Sequence, residues 1–501
     1  MLTKAGRLLL EHMPLFIIGY FVLQVLVRLL TTPGAVIDES EQLLLTQHFS
    51  LGYNAQPPLY TWIQMVFFAL FGPGILALAL LKNLLLALVY LLTYRIGRLL
   101  TNDRQIAALG TLSLLLLPQI VGEAQVDQIH SVLVTTAAAA TLYLLIRLLQ
   151  KGGTGQYLLL GLVVGCGVLA KYNFVLVPLA LLLAAVSIPE YRHRLLRPAL
   201  LLSVLTAALL VAPHAVWFLN HPELATAETL QRMQLDQGGT YLANILSGVA
   251  DLAVAALAFT GPFLICFLVL LRPTRPARLG PWQQLLARFI GASLLLIVVV
   301  ILITETTQIK QRWLQPFLFV FPLLLLMISP PAEPSEQRTA LFSLIAVLAA
   351  AVITLLIPLR VYLVDLSDGP RRDNYPFRAL TDTIKEDGFR EGTIVAEDKF
   401  IGGNLRLFFP DSTVITPSLP LQPYRLTPQL LVVWQERDPA TMLATEARAN
   451  YHCRPYRAEL PFRHSRSFTF RSAYRICEWA EDASTAAGRD TGGKAGTTRP
   501  K

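Results

Sequence analysis

The chain has 501 residues, of which 54% are hydrophobic and 15% charged, with a formal net charge of +9 and a mean hydropathy of +0.52. So few charges cannot cover so much apolar side chain with a water-facing surface, which excludes an ordinary soluble protein and makes this an integral membrane protein. The positive charge does not point to nucleic acid either, because the basic residues fall largely between apolar runs, where membrane topology accounts for them, and no base-reading motif is present.

A spanning helix needs roughly 20 apolar residues to cross about 30 Å of hydrocarbon. In chain order the runs 13–30, 75–94, 105–120, 131–148, 157–170, 173–188, 199–218, 245–271, 287–303, 313–328 and 340–358 predict about eleven spans. The segments 157–170 and 173–188 are short and read either as two crossings or as one broken or re-entrant pair. Lys4 and Arg7, then Arg95, Arg98 and Arg104, Arg147 and Lys151, Arg192, Arg194 and Arg197, and Arg272, Arg275 and Arg278 occupy alternate connections, which places those connections in the cytoplasm. Segments 31–74, 121–130, 219–244 and 304–312, and the chain beyond 358, then lie outside. A cleavable signal peptide competes for residues 1–30, but no small-residue cleavage site follows a short apolar core, which favours a retained first helix.

Composition changes at about residue 358, so the expected organisation is a membrane domain over 1–358, an exterior α/β domain over 359–481 and a disordered tail over 482–501. In the exterior domain YPFRALTDTIKEDG predicts an amphipathic helix closed by Gly388, and GTIVAED, LRLFFP, PQLLVVWQ and SRSFTFRSAYRICEW predict strands. Cys166 and Cys266 sit in apolar spans as small core residues, whereas Cys453 and Cys477 lie where an oxidising compartment would permit a disulfide, though spacing alone does not fix one.

Chemistry-bearing residues gather outside. Asp38 and Glu39 follow the first span, Glu41 comes next, and the run Gly52 to Trp62 brings Tyr53, Asn54, Gln56, a Pro-Pro step and Tyr60. The second exterior segment supplies Glu123, Asp127, Gln128 and His130. Charges at a membrane boundary are costly unless a watered site uses them, and a carboxylate can take a proton from an attacking hydroxyl or hold a sugar or a cation. Taken singly, each acid is equally a solvated loop charge or a helix cap.

Taken in order, these landmarks resemble the polytopic glycosyltransferases of the C fold class, in the superfamily of the protein O-mannosyltransferases and lipid A aminoarabinose transferases. They are Asp38-Glu39 after the first helix, the Y-x-x-x-P-P-L-Y segment from Tyr53 to Tyr60, Asp127, Lys171 in GVLAKYN and Lys310 in TTQIKQRWLQP. The resemblance covers roughly residues 10–330. It implies an α-helical polytopic membrane enzyme with a small exterior α/β domain, which takes a sugar from a polyprenyl-phosphate donor and inverts its anomeric carbon. By position it implies Asp38 as base, with Glu39 and Asp127 as further catalytic acids. Lys171, Lys310 and Arg312 would meet the donor phosphate, with Gln56, Tyr53 and Tyr60 beside them. Where relatives often carry a Lys or His before the proline pair this chain has Gln56, and Ala55 replaces an acid seen in some members. A neutral amide cannot bring the same charge to a phosphate, which leaves that task to the other cations.

Other readings remain. Lys171 at a helix end, and Lys310 and Arg312 beside Trp313, also fit interface anchors. His130, His214 and His221 fit caps or loop residues better than zinc ligands, since no two are spaced i, i+4. A polyprenyl-lipid or solute transporter and a non-catalytic lipid-binding assembly subunit are the rival functions, although no internal repeat of the helix pattern is evident. The expected setting is a Gram-negative inner membrane with the site in the periplasm. The acceptor is lipid A or another envelope glycolipid, a polysaccharide or a protein. No cofactor is expected to be required, and a divalent cation is the one candidate.

Overall fold

The apolar runs fold as helices, as the patterning requires. The computed structural model describes residues 2–226, 239–272, 274, 279–331, 336–417, 419, 424–439 and 450–479, so the expected tail 482–501 lies outside the described residues. The membrane part comprises α1 (Leu2–Glu11), α2 (Met13–Thr31), α3 (Ile37–Leu45), α4 (Leu59–Phe71), α5 (Ile75–Thr101), α6 (Arg104–Leu112), α7 (Ala124–Val126), α8 (Ile129–Lys151) and α9 (Thr154–Ala170). It continues with α10 (Leu176–Val186), α11 (Pro189–Leu195), α12 (Leu200–Asn220), α13 (Tyr241–Cys266), α14 (Pro281–Thr304), α15 (Gln315–Leu318), α16 (Phe321–Ile328) and α17 (Glu336–Tyr362).

Among the described residues seven helices are long and apolar enough to cross a membrane: α2, α5, α8, α12, α13 with its continuation to Leu271, α14 and α17. Burial separates their roles, since 78% of the most apolar window of α8 is buried and only 17% of that of α12. The first runs through the middle of the bundle, and the second shows lipid the apolar surface it could not show water. The expected span 105–120 is instead a bent pair, Arg104–Leu116 and Gln119–Val126, at 73°. Leu117, held extended ahead of Pro118, makes the break. Thr154–Ala170, Tyr172–Val186 and Gln315–Ile328 are shorter apolar helices at three further expected spans, and Leu59–Phe71 is a fourth inside a segment read as an exterior loop. The break between the short segments 157–170 and 173–188 falls at Lys171, whose backbone is extended.

The C-terminal domain, expected to lie outside, packs α18 (Phe377–Glu386) and α19 (Lys399–Phe408) on a mixed sheet of β1 (Thr393–Ala396), β2 (Thr413–Ile415), β3 (Gln429–Trp434), β4 (Tyr451–Pro461) and β5 (Thr469–Trp479). The strand order is β2-β1-β3-β5-β4. The first three strands are parallel, and β5 runs antiparallel to β3 and β4. LRLFFP is not a strand. Its alternating apolar residues belong to α19, started by the Asp398 carboxylate accepting from the Ile401 N–H, with Ile401 and Leu405 buried one turn apart. The edge strand β4 escapes the sequence pattern because Pro455 and Pro461 interrupt it, which only an edge tolerates. Cys453 and Cys477 lie opposite each other in β4 and β5 and form a disulfide.

The two parts meet where α19 lies on α3. The Asn404 side chain accepts from the Ala35 N–H at 2.8 Å and donates to the Ala35 carbonyl at 3.0 Å and the Ser40 hydroxyl at 3.1 Å. A Cβ on Gly403 would sit 2.2 Å from the Ser40 carbonyl oxygen, so only glycine allows this approach. Gly403→Leu is expected to part the helices, costing about 1–3 kcal/mol, seen as a lower melting temperature of the detergent-solubilised protein.

Candidate active site

Helix α3 distributes its acids by its own geometry. Successive residues point about 100° apart, so Asp38 and Glu39 diverge, whereas Asp38 and Glu41 at i and i+3 share a face. Asp38 and Glu41 line a cavity of about 530 Å³ at the junction of the membrane and C-terminal domains. Its polar wall continues through Gln56, Gln128, His130, Ser131, Lys171, Thr306, Arg312 and Lys399, and Val175, Leu176, Ile297, Val300, Ile309, Trp313 and Phe317 supply the apolar part.

Asp38 is aimed by the backbone opposite. The Gln128 N–H donates to its Oδ2 at 3.1 Å, from a residue whose φ of 73° is left-handed. That conformation costs a non-glycine residue about 1–2 kcal/mol, and side-chain amides hold it. Gln128 Nε2 donates to Gln119 Oε1 at 3.2 Å, and Gln315 Nε2 donates to Gln128 Oε1 at 2.8 Å. Gln119 Nε2 reaches Gln311 Oε1 at 3.1 Å, tying the same network to the segment that carries Arg312.

Asp127 stands behind Asp38 and does not line the cavity. Burial raises its pKa, and the charge of Asp38 and a hydrogen bond to it raise it further, to about 8, against the pull of Lys82. Glu39 turns inward. Arg28 Nη2 lies 2.5 Å and Lys82 Nζ 3.6 Å from its carboxylate, and both glutamate and lysine side chains are 1% exposed. Burial alone would raise the Glu39 pKa, but these two cations outweigh it and hold the carboxyl at about 2. Occupied this way, Glu39 anchors α3 to α2 and α5 and does not face the cavity.

Of the expected phosphate ligands, Lys171 and Arg312 line the cavity and Lys310 does not. Lys171 Nζ donates to Ser131 Oγ at 3.0 Å. The Arg312 segment is pinned to α13 from behind: Asp251 accepts from the Ile309 N–H, Asn244 donates to Glu305 at 3.0 Å, and the missing side chain of Gly248 admits the Thr306 carbonyl. Gln56 lines the cavity, but Tyr53 and Tyr60 do not. The Tyr53 hydroxyl donates to the His48 carbonyl, and its ring joins the core of the C-terminal domain. Tyr60 is fully buried with its ring 5.6 Å from that of His130.

Sequence reasoning missed three residues here and gave a fourth no role. His130, read as a cap or loop residue, is buried on the cavity wall. Lys82 and Arg28 sit inside apolar runs, where a lone charge is itself a signal. Lys399 is brought in by the C-terminal domain, with its Nζ 2.7 Å from Glu41 Oε1, and nothing local announces it. Among the described residues no three His, Cys, Asp or Glu side chains gather as a metal site.

The sequence pattern of the family described as dolichyl-phosphate-mannose-protein mannosyltransferase matches residues 55–217. Over 443 residues the chain is 34% identical to the lipopolysaccharide core galacturonosyltransferase RgtB of Rhizobium johnstonii, covering 86% of this chain and 89% of that protein. Over 450 residues it is 32% identical to the lipopolysaccharide core galacturonosyltransferase RgtA of the same organism, covering 88% and 90%. In fold it is similar to the crystal structure of ArnT from Cupriavidus metallidurans bound to undecaprenyl phosphate, with a TM-score of 0.59 at 13% identity over 92% of this chain and 97% of that one. With its membrane helices, C-terminal sheet domain and acid-lined cavity, the chain belongs to the polytopic C-class glycosyltransferases of the protein O-mannosyltransferase and lipid A aminoarabinose transferase superfamily.

Proposed function

We propose that this membrane glycosyltransferase moves a uronic acid, galacturonic acid by analogy with RgtA and RgtB, from a polyprenyl phosphate to the lipopolysaccharide core. The setting is the periplasmic face of the inner membrane. The observation that carries the reading is that Asp38, Lys171 and Arg312 line one cavity together with the apolar residues of α10 and α14. A lipid-phosphate donor needs a base, cations and a greasy wall in one place. The periplasmic setting is supported by the basic connections, which alternate in sequence with the cavity-side segments, and by the Cys453–Cys477 disulfide, a bond that persists in oxidising compartments.

In this reading the acceptor hydroxyl attacks the anomeric carbon from the face opposite the phosphate, which inverts it. Asp38 takes the hydroxyl proton as the new carbon–oxygen bond forms. The old bond breaks with its electron pair going to the phosphate oxygen, where Lys171 and Arg312 stabilise the growing charge. Lys310, outside the cavity wall, serves as an interface anchor. Glu39 holds α3 in place and takes no proton. No step is routed through a divalent cation.

Asp127 gives the reaction a pH signature. Its pKa is raised to about 8, so at neutral pH it keeps a proton to share with Asp38. As pH rises through about 8 it ionises, and two carboxylates then repel at one site. Transfer is expected to fall above about pH 8. Asp127→Asn, which keeps a donor without titrating, is expected to retain transfer within about tenfold and to lose that fall. An unchanged alkaline limb in the variant would contradict the pairing.

The test is purified protein in lipid nanodiscs with a polyprenyl-phosphate galacturonic acid and lipopolysaccharide core acceptor. The expected product is a core bearing one more uronic acid. Translocation of the polyprenyl lipid with no new glycosidic bond would overturn the reading in favour of a flippase.

A further inference from the structure

We propose that Lys399, carried into the cavity by the exterior domain, reads the carboxylate of the transferred sugar and so sets the enzyme's preference for a uronic acid donor. This rests on the uronosyl reading above. The cations lining the cavity divide by origin. Lys171 follows α9 and Arg312 precedes α15, both in the membrane domain, whereas Lys399 opens α19 in the exterior domain. The apolar lining, Val175, Leu176, Ile297 and Val300, comes from the chain just beyond Lys171 and from α14, which assigns the lipid phosphate to the membrane-domain cations. Lys399 is left for the sugar.

The need for such a cation follows from the acids around it. Asp38 and Glu41 both line this cavity, and a third carboxylate entering there without a positive partner would pay for desolvation and repulsion together. Lys399 is fixed for that task. Its Nζ lies 2.7 Å from Glu41 Oε1, and the same oxygen accepts from Asn54 Nδ2 at 2.9 Å. The lysine side chain keeps 24% exposure where that of Glu41 keeps 6%, so the lysine is the more accessible member of the pair. Glu41 positions the lysine, and the docking of α19 on α3 through Gly403 and Asn404 brings it within reach. The site is therefore complete only with the exterior domain in place.

The test compares transfer from polyprenyl-phosphate galacturonic acid and polyprenyl-phosphate galactose, which differ only at the carboxylate, by the full-length wild type, Lys399→Met, Lys399→Arg and Asn404→Ala. Lys399→Met is expected to lower kcat/KM for the uronosyl donor by about 30- to 100-fold, mostly through KM, and to leave the galactosyl donor within about threefold. Lys399→Arg, which keeps the charge, restores part of the preference. Asn404→Ala, which loosens the docking that carries Lys399 without touching the cavity, is expected to lower the uronosyl donor more than the galactosyl donor, in the same direction as Lys399→Met. If Lys399→Met lowers both donors alike, or neither, the lysine only joins the domains and the proposal is overturned while the uronosyl reading stands. A wild type that prefers the galactosyl donor, or uses neither, overturns that reading and this proposal with it.

Discussion

Asp38→Asn is expected to lower transfer by about 10³-fold or more while leaving polyprenyl-phosphate affinity within about twofold. The amide has the shape of the carboxylate and can still accept from the Gln128 N–H, so α3 and the cavity wall keep their arrangement. What it cannot do is take the proton of the attacking hydroxyl. In the proposed reading donor binding rests on Lys171, Arg312 and the apolar wall, which line the cavity and which the substitution does not touch, so the loss is expected to fall on kcat. Single-turnover transfer with donor binding measured in parallel separates the two. Retained transfer by Asp38→Asn would remove the base from the account, and lost binding would make the aspartate a ligand.

Glu39→Ala is expected to cost about 3–5 kcal/mol of stability, because it leaves two buried cations facing each other without the anion between them. Arg28 and Lys82 come from α2 and α5, and Glu39 from α3, so one substitution unfastens three helices at the cavity. The measurement is thermal unfolding in detergent. Adding Lys82→Met to Glu39→Ala should recover part of the loss, since it removes one of the stranded charges. The pH dependence has a definite sign. A carboxyl held at about 2 against an ordinary value of 4.5 stabilises the fold fully above about pH 4.5, and that contribution fades as pH falls toward 2. A Glu39→Ala protein that melts with the wild type would show that the triad does not hold α3.

The sequence made the membrane class, most of the helices and the chemistry-bearing loops legible, because hydrophobic run length and one-sided charge are local signals. Asp38 and Asp127 stand out as acids at the ends of those runs, whereas Lys171 and Arg312 are named through the family resemblance, and the fold brings Asp127 against Asp38 and the other three to one cavity wall. The Asp38-Glu39 pair shows the limit. Adjacent in sequence, the two acids look alike, and only the 100° turn between them on α3 sends one to the cavity and the other to Arg28 and Lys82. Lys399 was invisible for a different reason: its partner Glu41 is 358 residues away, and no local pattern encodes that meeting. LRLFFP misled because two-residue alternation inside a ten-residue helix imitates a strand when the cap, Asp398, lies upstream of the window.

The central claim is most directly tested by mass spectrometry of the lipopolysaccharide core from cells carrying the wild-type protein, cells carrying Asp38→Asn and cells lacking the gene. One uronic acid residue present with the wild type and absent from both other cores is the expected result. An identical core in all three strains would contradict it.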